Sequence, residues 1–77
     1  GLNIYPNPAN DHITIEMAEA NGEGTVEVLN LLGQVVWTQS LDANTTTRVN
    51  TTSLDASVYL FKITSNGKTS THKISIQ

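Results

Sequence analysis

A chain of 77 residues that is 38% hydrophobic has material for one small core and no second domain. At about 60 residues a domain buries only about 60% of the surface its unfolded chain exposes, so little stability is in reserve. A net charge of -3, with four Lys and Arg in all, excludes the basic stripe that nucleic acid phosphates require.

The absence of cysteine removes disulfides and thiolate metal sites as supports for the core. No apolar run approaches the roughly 20 residues of a membrane-spanning helix, so membrane insertion is not expected. The first residues lack the basic-then-apolar order of a signal peptide, so any export signal is expected elsewhere. Thr, Ser and Asn are abundant, a composition that favours short strands and turns over helices.

In chain order, Leu2 to Tyr5 reads as a short strand that Pro6-Asn7-Pro8 stops, because proline cannot donate to a ladder. Restricted φ alone explains both prolines as a rigid turn, and that reading is preferred to a recognition feature. Asn10-Asp11 opens the next turn. Asn7, Asn10 and Asp11 offer oxygens to a calcium ion, but too few carboxylates for a calcium loop, so turn capping is expected instead. His12 to Met17 alternates with period two, placing Ile13, Ile15 and Met17 on a core face and His12, Thr14 and Glu16 on a wet one.

Thr25 to Leu29 repeats the pattern with Val26 and Val28 inward. Asn30-Leu31-Leu32-Gly33 reads as a turn in which Gly33 supplies a positive φ without a Cβ clash. Gln34 to Leu41 is the next strand, with Val35 and Trp37 as its expected buried pair. Thr47 to Thr51 is weaker and anchored by Val49. Val58 to Ser65 carries Tyr59, Phe61 and Ile63 at alternate positions, and Lys68 to Gln77 carries His72, Ile74 and Ile76 likewise. Asn66-Gly67 between them predicts a type I′ hairpin, whose two central residues both need φ > 0. About seven short, mainly antiparallel strands predict an all-β, Ig-like sandwich.

Three stretches carry a family resemblance that spans nearly the whole chain. Ile4-Tyr5-Pro6-Asn7-Pro8-Ala9, followed by Asp11 to Ile15, resembles the opening pattern of the type A C-terminal sorting domain of the type IX secretion system. Val26 to Val36, with Gly33 at its tip, is similar to that family's central hairpin. Leu54 through Val58-Tyr59-Leu60-Phe61-Lys62-Ile63 and Asn66-Gly67 to Lys73-Ile74-Ser75-Ile76-Gln77 resembles its terminal hairpin, with a basic residue before an alternating apolar end. One departure is Ser57, where the family usually has glycine; it implies either a relaxed bend or a small strain cost there.

The resemblance implies that residues 1–77 form one sorting domain taken from the end of a larger secreted protein. An N-terminal cargo would cross the periplasm and outer membrane to the surface or medium through the translocon, and the sorting domain itself is expected to be a monomer. A sortase-like protease would cut at or before Gly1. No catalysis, cofactor or metal is implied. The candidate sorting residues are Tyr5, Pro6, Asn7, Pro8, Gly33, Tyr59, Asn66, Gly67, Lys73, Ile74, Ile76 and Gln77.

The residues themselves agree that chemistry is absent. His12 and His72 lack a third ligand, and no serine sits in a nucleophile elbow. Asn44-Thr45-Thr46 and Asn50-Thr51-Thr52 match the glycosylation pattern by the chance expected of a Thr-rich run. Lys62, Lys68 and Lys73 either meet an acidic receptor or deter edge aggregation. Ile74 to Gln77 is expected to offer a partner a free strand edge or its final carboxylate. The rival functions are a carbohydrate-binding or spacer module, which needs an exposed aromatic such as Trp37, and an adhesin fragment that self-associates through edge strands.

Overall fold

The computed structural model describes residues 2–17, 24–41 and 46–77. Gly1, where the cleavage junction was expected, and Asn44 of the first glycosylation pattern lie outside them. The described residues form seven strands: β1 (Leu2–Tyr5), β2 (His12–Met17), β3 (Gly24–Leu29), β4 (Val35–Ser40), β5 (Thr46–Asn50), β6 (Ser57–Ser65) and β7 (Lys68–Ile76). They pair into a three-stranded sheet in the order β1-β2-β5 and a four-stranded sheet in the order β4-β3-β6-β7. Every strand pair is antiparallel. This is the expected Ig-like sandwich, with β4 beside β3 rather than beside β5.

Period-two patterning decides which side chains meet. Ile13 and Ile15 of β2 and Val49 of β5 face Val26, Val28, Phe61 and Ile63 of β3 and β6, all at most 1% exposed. Tyr59, Ile74 and Ile76 extend the core to the end of β7. Fully burying each such side chain contributes about 1.5–3 kcal/mol, which is how a chain this small holds together without a disulfide. The Asn66-Gly67 turn has φ of 52° and 77°, the positive pair that a type I′ turn needs.

One expected core residue is outside it. Val35 is 51% exposed, and Trp37 is half-buried on the inner face. The cause is a bulge: Val28 pairs with Trp37, but the next residue, Leu29, pairs with Val35 rather than Val36. One extra residue on β4 moves Val35 to the outer side, opposite Leu29, because a one-residue slip turns a strand's side chains over. Trp37 donates from Nε1 to Gln39 Oε1 (3.2 Å), and Gln39 Nε2 donates to the Arg48 carbonyl (3.0 Å), tying β4 to β5 across the open seam of the sandwich.

Urea unfolding separates the two kinds of position. Phe61→Ala should cost about 3–5 kcal/mol, whereas Val35→Ser should change stability by no more than about 0.5 kcal/mol. A cost for Val35→Ser approaching that of Phe61→Ala would restore Val35 to the core.

Candidate functional site

Pro6 and Pro8 offer no N–H, so the segment leaving β1 must make its pairings through Asn7 and Ala9. The peptide bonds before both prolines are cis. Asn7 carries an amide that donates and accepts like a main-chain peptide group. Its Nδ2 donates to the Lys73 carbonyl (3.3 Å), and its Oδ1 accepts from the Ser75 N–H (3.1 Å). Two residues on, the Ala9 N–H donates to the Ser75 carbonyl and the Gln77 N–H donates to the Ala9 carbonyl, both at 2.8 Å. Ala9 forms a parallel bridge with Ile76 and is fully buried.

The Pro6-Asn7-Pro8 turn is therefore more than a stop for β1. It lays residues 7–9 along the outer edge of β7 and joins the two sheets. The expectation of a free edge at Ile74 to Gln77 is corrected accordingly, since the outward groups from the Lys73 carbonyl to the Gln77 N–H are already paired. Alternation identified the strand; it carried no sign of partners 66 and 68 residues away.

The β3–β4 turn is built by Asn30. Its Oδ1 accepts from the N–H groups of Leu32 and Gln34, both at 3.0 Å, while its Nδ2 donates to Gln34 Oε1 (2.7 Å). Gly33, at φ 85°, donates its N–H to the Asn30 carbonyl (3.0 Å). With the backbone satisfied internally, Leu31 and Leu32 point outward and are 63% and 86% exposed. Val35 and Val36 beside them are also exposed. Sequence reasoning fixed on Gly33 and passed over Asn30, Leu31, Leu32 and Ala9. Two leucines inside a turn, where polar residues are the rule, were the available signal.

Register brings several of these parts together. Leu29 pairs with Leu60 and Leu60 with Lys73, and Ser57 pairs with Ile76. The 30–34 turn, the start of β6 and the end of β7 thus share one end of the four-stranded sheet. Val35, Leu29, Leu60 and Lys73 form a row across its outer face. Pro6, Asn7, Pro8, Lys73, Ile74, Ile76 and Gln77 meet at this end, with Gly33 in its turn. Asn66 and Gly67 lie at the opposite end, where Gly24 pairs with Ser65.

Tyr59 is buried and supports this end from within. Its hydroxyl donates to the Asp55 carbonyl (2.7 Å), pinning the loop that enters β6 as the tyrosine corner of Ig-like domains does. Ser57 begins β6 in ordinary strand conformation, since Asn66 alone among the described non-glycine residues has positive φ. The position carries no backbone strain.

The histidines and acids are placed for local bonding. His12 Nδ1 lies 2.7 Å from Asp11 Oδ1, and His72 Nε2 lies 2.9 Å from Ser70 Oγ. The His12 contact holds the Asp11 carboxyl below its ordinary range, and a hydrogen bond to Glu16 (3.2 Å) holds the Tyr5 phenol above its own. Among the oxygens considered for calcium, Asn7 Oδ1 accepts from the Ser75 N–H and Asp11 Oδ1 lies against His12 Nδ1, while the Asn10 backbone carbonyl accepts from Thr51 Oγ1.

The family model for the secretion system C-terminal sorting domain matches residues 3–77. The chain belongs to this family, the sorting signal of type IX secretion. A relative named ulvan lyase NLR42, from Nonlabens ulvanivorans, is 31% identical over 65 residues, which is 84% of this chain and 12% of the relative. The chain thus spans a small part of that relative's length. Family membership makes this sorting domain a non-catalytic signal for export to the cell surface or beyond.

Asn7→Ala should cost about 1–2 kcal/mol in urea unfolding, the worth of two exposed hydrogen bonds, while Asn3→Ala on the exposed side of β1 should stay within about 0.5 kcal/mol. Equal effects would remove Asn7 from its bridging role. In an NMR titration the Asp11 carboxyl should titrate below the 3.8 of an unperturbed aspartate. A lowered folded pKa means that the His12–Asp11 contact adds stability above that range, and the gain is lost as pH falls through the folded value. Asp11→Asn should abolish this acid-side dependence.

Proposed function

We propose that the export machinery reads the end of the sandwich that carries the 30–34 turn at one edge of the four-stranded sheet and residues 5–9 with residues 73–77 at the other. The observation that carries this reading is the exposed apolar set Leu31, Leu32, Val35 and Val36 at the β4 edge of an end of the sheet whose opposite edge, on β7, is already closed by Asn7 and Ala9. A small water-facing domain gains nothing from two leucines held outward on a self-satisfied turn unless a partner covers them, and contiguous apolar surface marks interaction sites. Closure of the edge favours recognition through side chains and shape over strand addition at Ile74 to Gln77.

In this reading Tyr5, Pro6, Asn7 and Pro8 fix the path that seals β7, and Gly33 lets the turn present its leucines. Lys73, Ile74, Ile76 and Gln77 form the sealed strand, and Tyr59 braces it from the core. Asn66 and Gly67 act at a distance, by setting the β6–β7 register. The partner is the type IX translocon, and one copy of the domain suffices.

The domain acts as the tail of a larger protein whose cargo precedes it. The family's description as C-terminal and the chain's 12% share of its relative both support this. The relative's name makes an enzyme a fitting kind of cargo. A sortase-like protease would separate the two at or before Gly1.

The test is a fluorescent reporter with an N-terminal export signal, fused ahead of the chain in a type IX-competent bacterium. Leu31→Ser with Leu32→Ser should leave the purified domain folded, since both side chains are exposed, and retain the reporter in the periplasm. Surface display equal to that of the unsubstituted fusion would overturn the proposed reading surface.

A further inference from the structure

The sorting surface lies on the four-stranded sheet, and apart from Tyr5 the outer face of β1, β2 and β5 has no part in it. A recess of about 330 Å³ opens there, lined by Asp11, His12, Arg48, Asn50 and Thr52. Several of its polar groups are held in place. Asn50 Oδ1 accepts from both the N–H (2.9 Å) and the hydroxyl (2.6 Å) of Thr52, and among the described residues its Nδ2 has no partner. His12 Nδ1 is held by Asp11, which leaves Nε2. Gln39 fixes the Arg48 backbone from the other sheet. Among the described residues no hydrogen bond or ion pair engages the Arg48 guanidinium.

Charge narrows the ligand. One guanidinium and one carboxylate sum to zero, so the recess has no single-sign field to select an ion. It instead offers donors beside acceptors, the arrangement that adjacent hydroxyls satisfy in both senses. The same face carries an aromatic surface. Tyr5 is 44% exposed, and its hydroxyl is anchored on Glu16. Tyr5 pairs with Thr14, which pairs with Arg48. Two strand spacings, roughly 10 Å, therefore separate Tyr5 from Arg48 across a small side chain.

We infer that this face binds a neutral saccharide, with the vicinal hydroxyls of one ring in the recess and a neighbouring ring against Tyr5. The exposed aromatic is then Tyr5, on the sheet opposite the half-buried Trp37. Such a site would let a sorted protein hold surface glycan or polysaccharide substrate independently of export.

The test is a titration of the isotope-labelled 77-residue chain, followed by amide NMR, with cellotetraose, laminaritetraose and xylotetraose as neutral probes and tetragalacturonate as an acidic one. At least one neutral probe should move the amides of Tyr5, His12, Arg48 and Asn50. Arg48→Ala and Tyr5→Ala should each weaken that binding at least tenfold, with spectra still dispersed. Arg48→Lys should also weaken it, because a point charge cannot replace the planar fork. The inference is overturned if no neutral probe shifts these amides at tens of millimolar, if only the acidic probe does, or if the shifts fall on the four-stranded sheet.

Discussion

An edge strand presents a row of unpaired N–H and C=O groups, and on β7 that row is closed by residues 7–9 crossing over from the other sheet. Four hydrogen bonds do this, two through the Asn7 side chain and two through the Ala9 backbone. The position of the following segment depends on them: β2 starts three residues after Ala9, and the Ile13 and Ile15 side chains it carries are the larger part of the three-stranded sheet's share of the core. At the other open seam Gln39 reaches the Arg48 carbonyl. A sandwich with so small a core is thus held by side-chain amides at both margins as well as by apolar burial.

Closure also shapes what a partner meets. With the end of β7 sealed, the exposed apolar side chains at that end of the sheet sit on or beside a turn whose backbone is satisfied by Asn30. A rigid turn that presents Leu31 and Leu32 can be recognised at low ordering cost, because little freedom remains to be lost on binding. This suits a sorting signal, because the turn and the residues that hold it lie within the domain itself.

Strand positions were legible because alternation of Ile, Val, Phe and Tyr with polar residues is a local property, and the Asn66-Gly67 turn was legible because only φ > 0 residues fit it. Val35 was misread because a bulge on β4 turns it over, and nothing in Gln34 to Leu41 marks the extra residue. The partnership of Asn7 with Ser75 was invisible for a different reason. It depends on how two sheets stack, and no periodicity reports a contact 68 residues apart. The family resemblance carried the function, while the geometry of the site came from packing. The stretches that resemble the family at the two ends of the chain turn out to be neighbours in space.

The most direct measurement of this closure is native-state hydrogen exchange along β7. The Ser75 and Gln77 amides, together with that of Ala9, should exchange slowly. Thr71, whose N–H points the same way but has no partner among the described residues, should exchange far faster. Ser75 and Gln77 exchanging as fast as Thr71 would mean that the edge is open in solution, and would return strand addition at the end of β7 to first place.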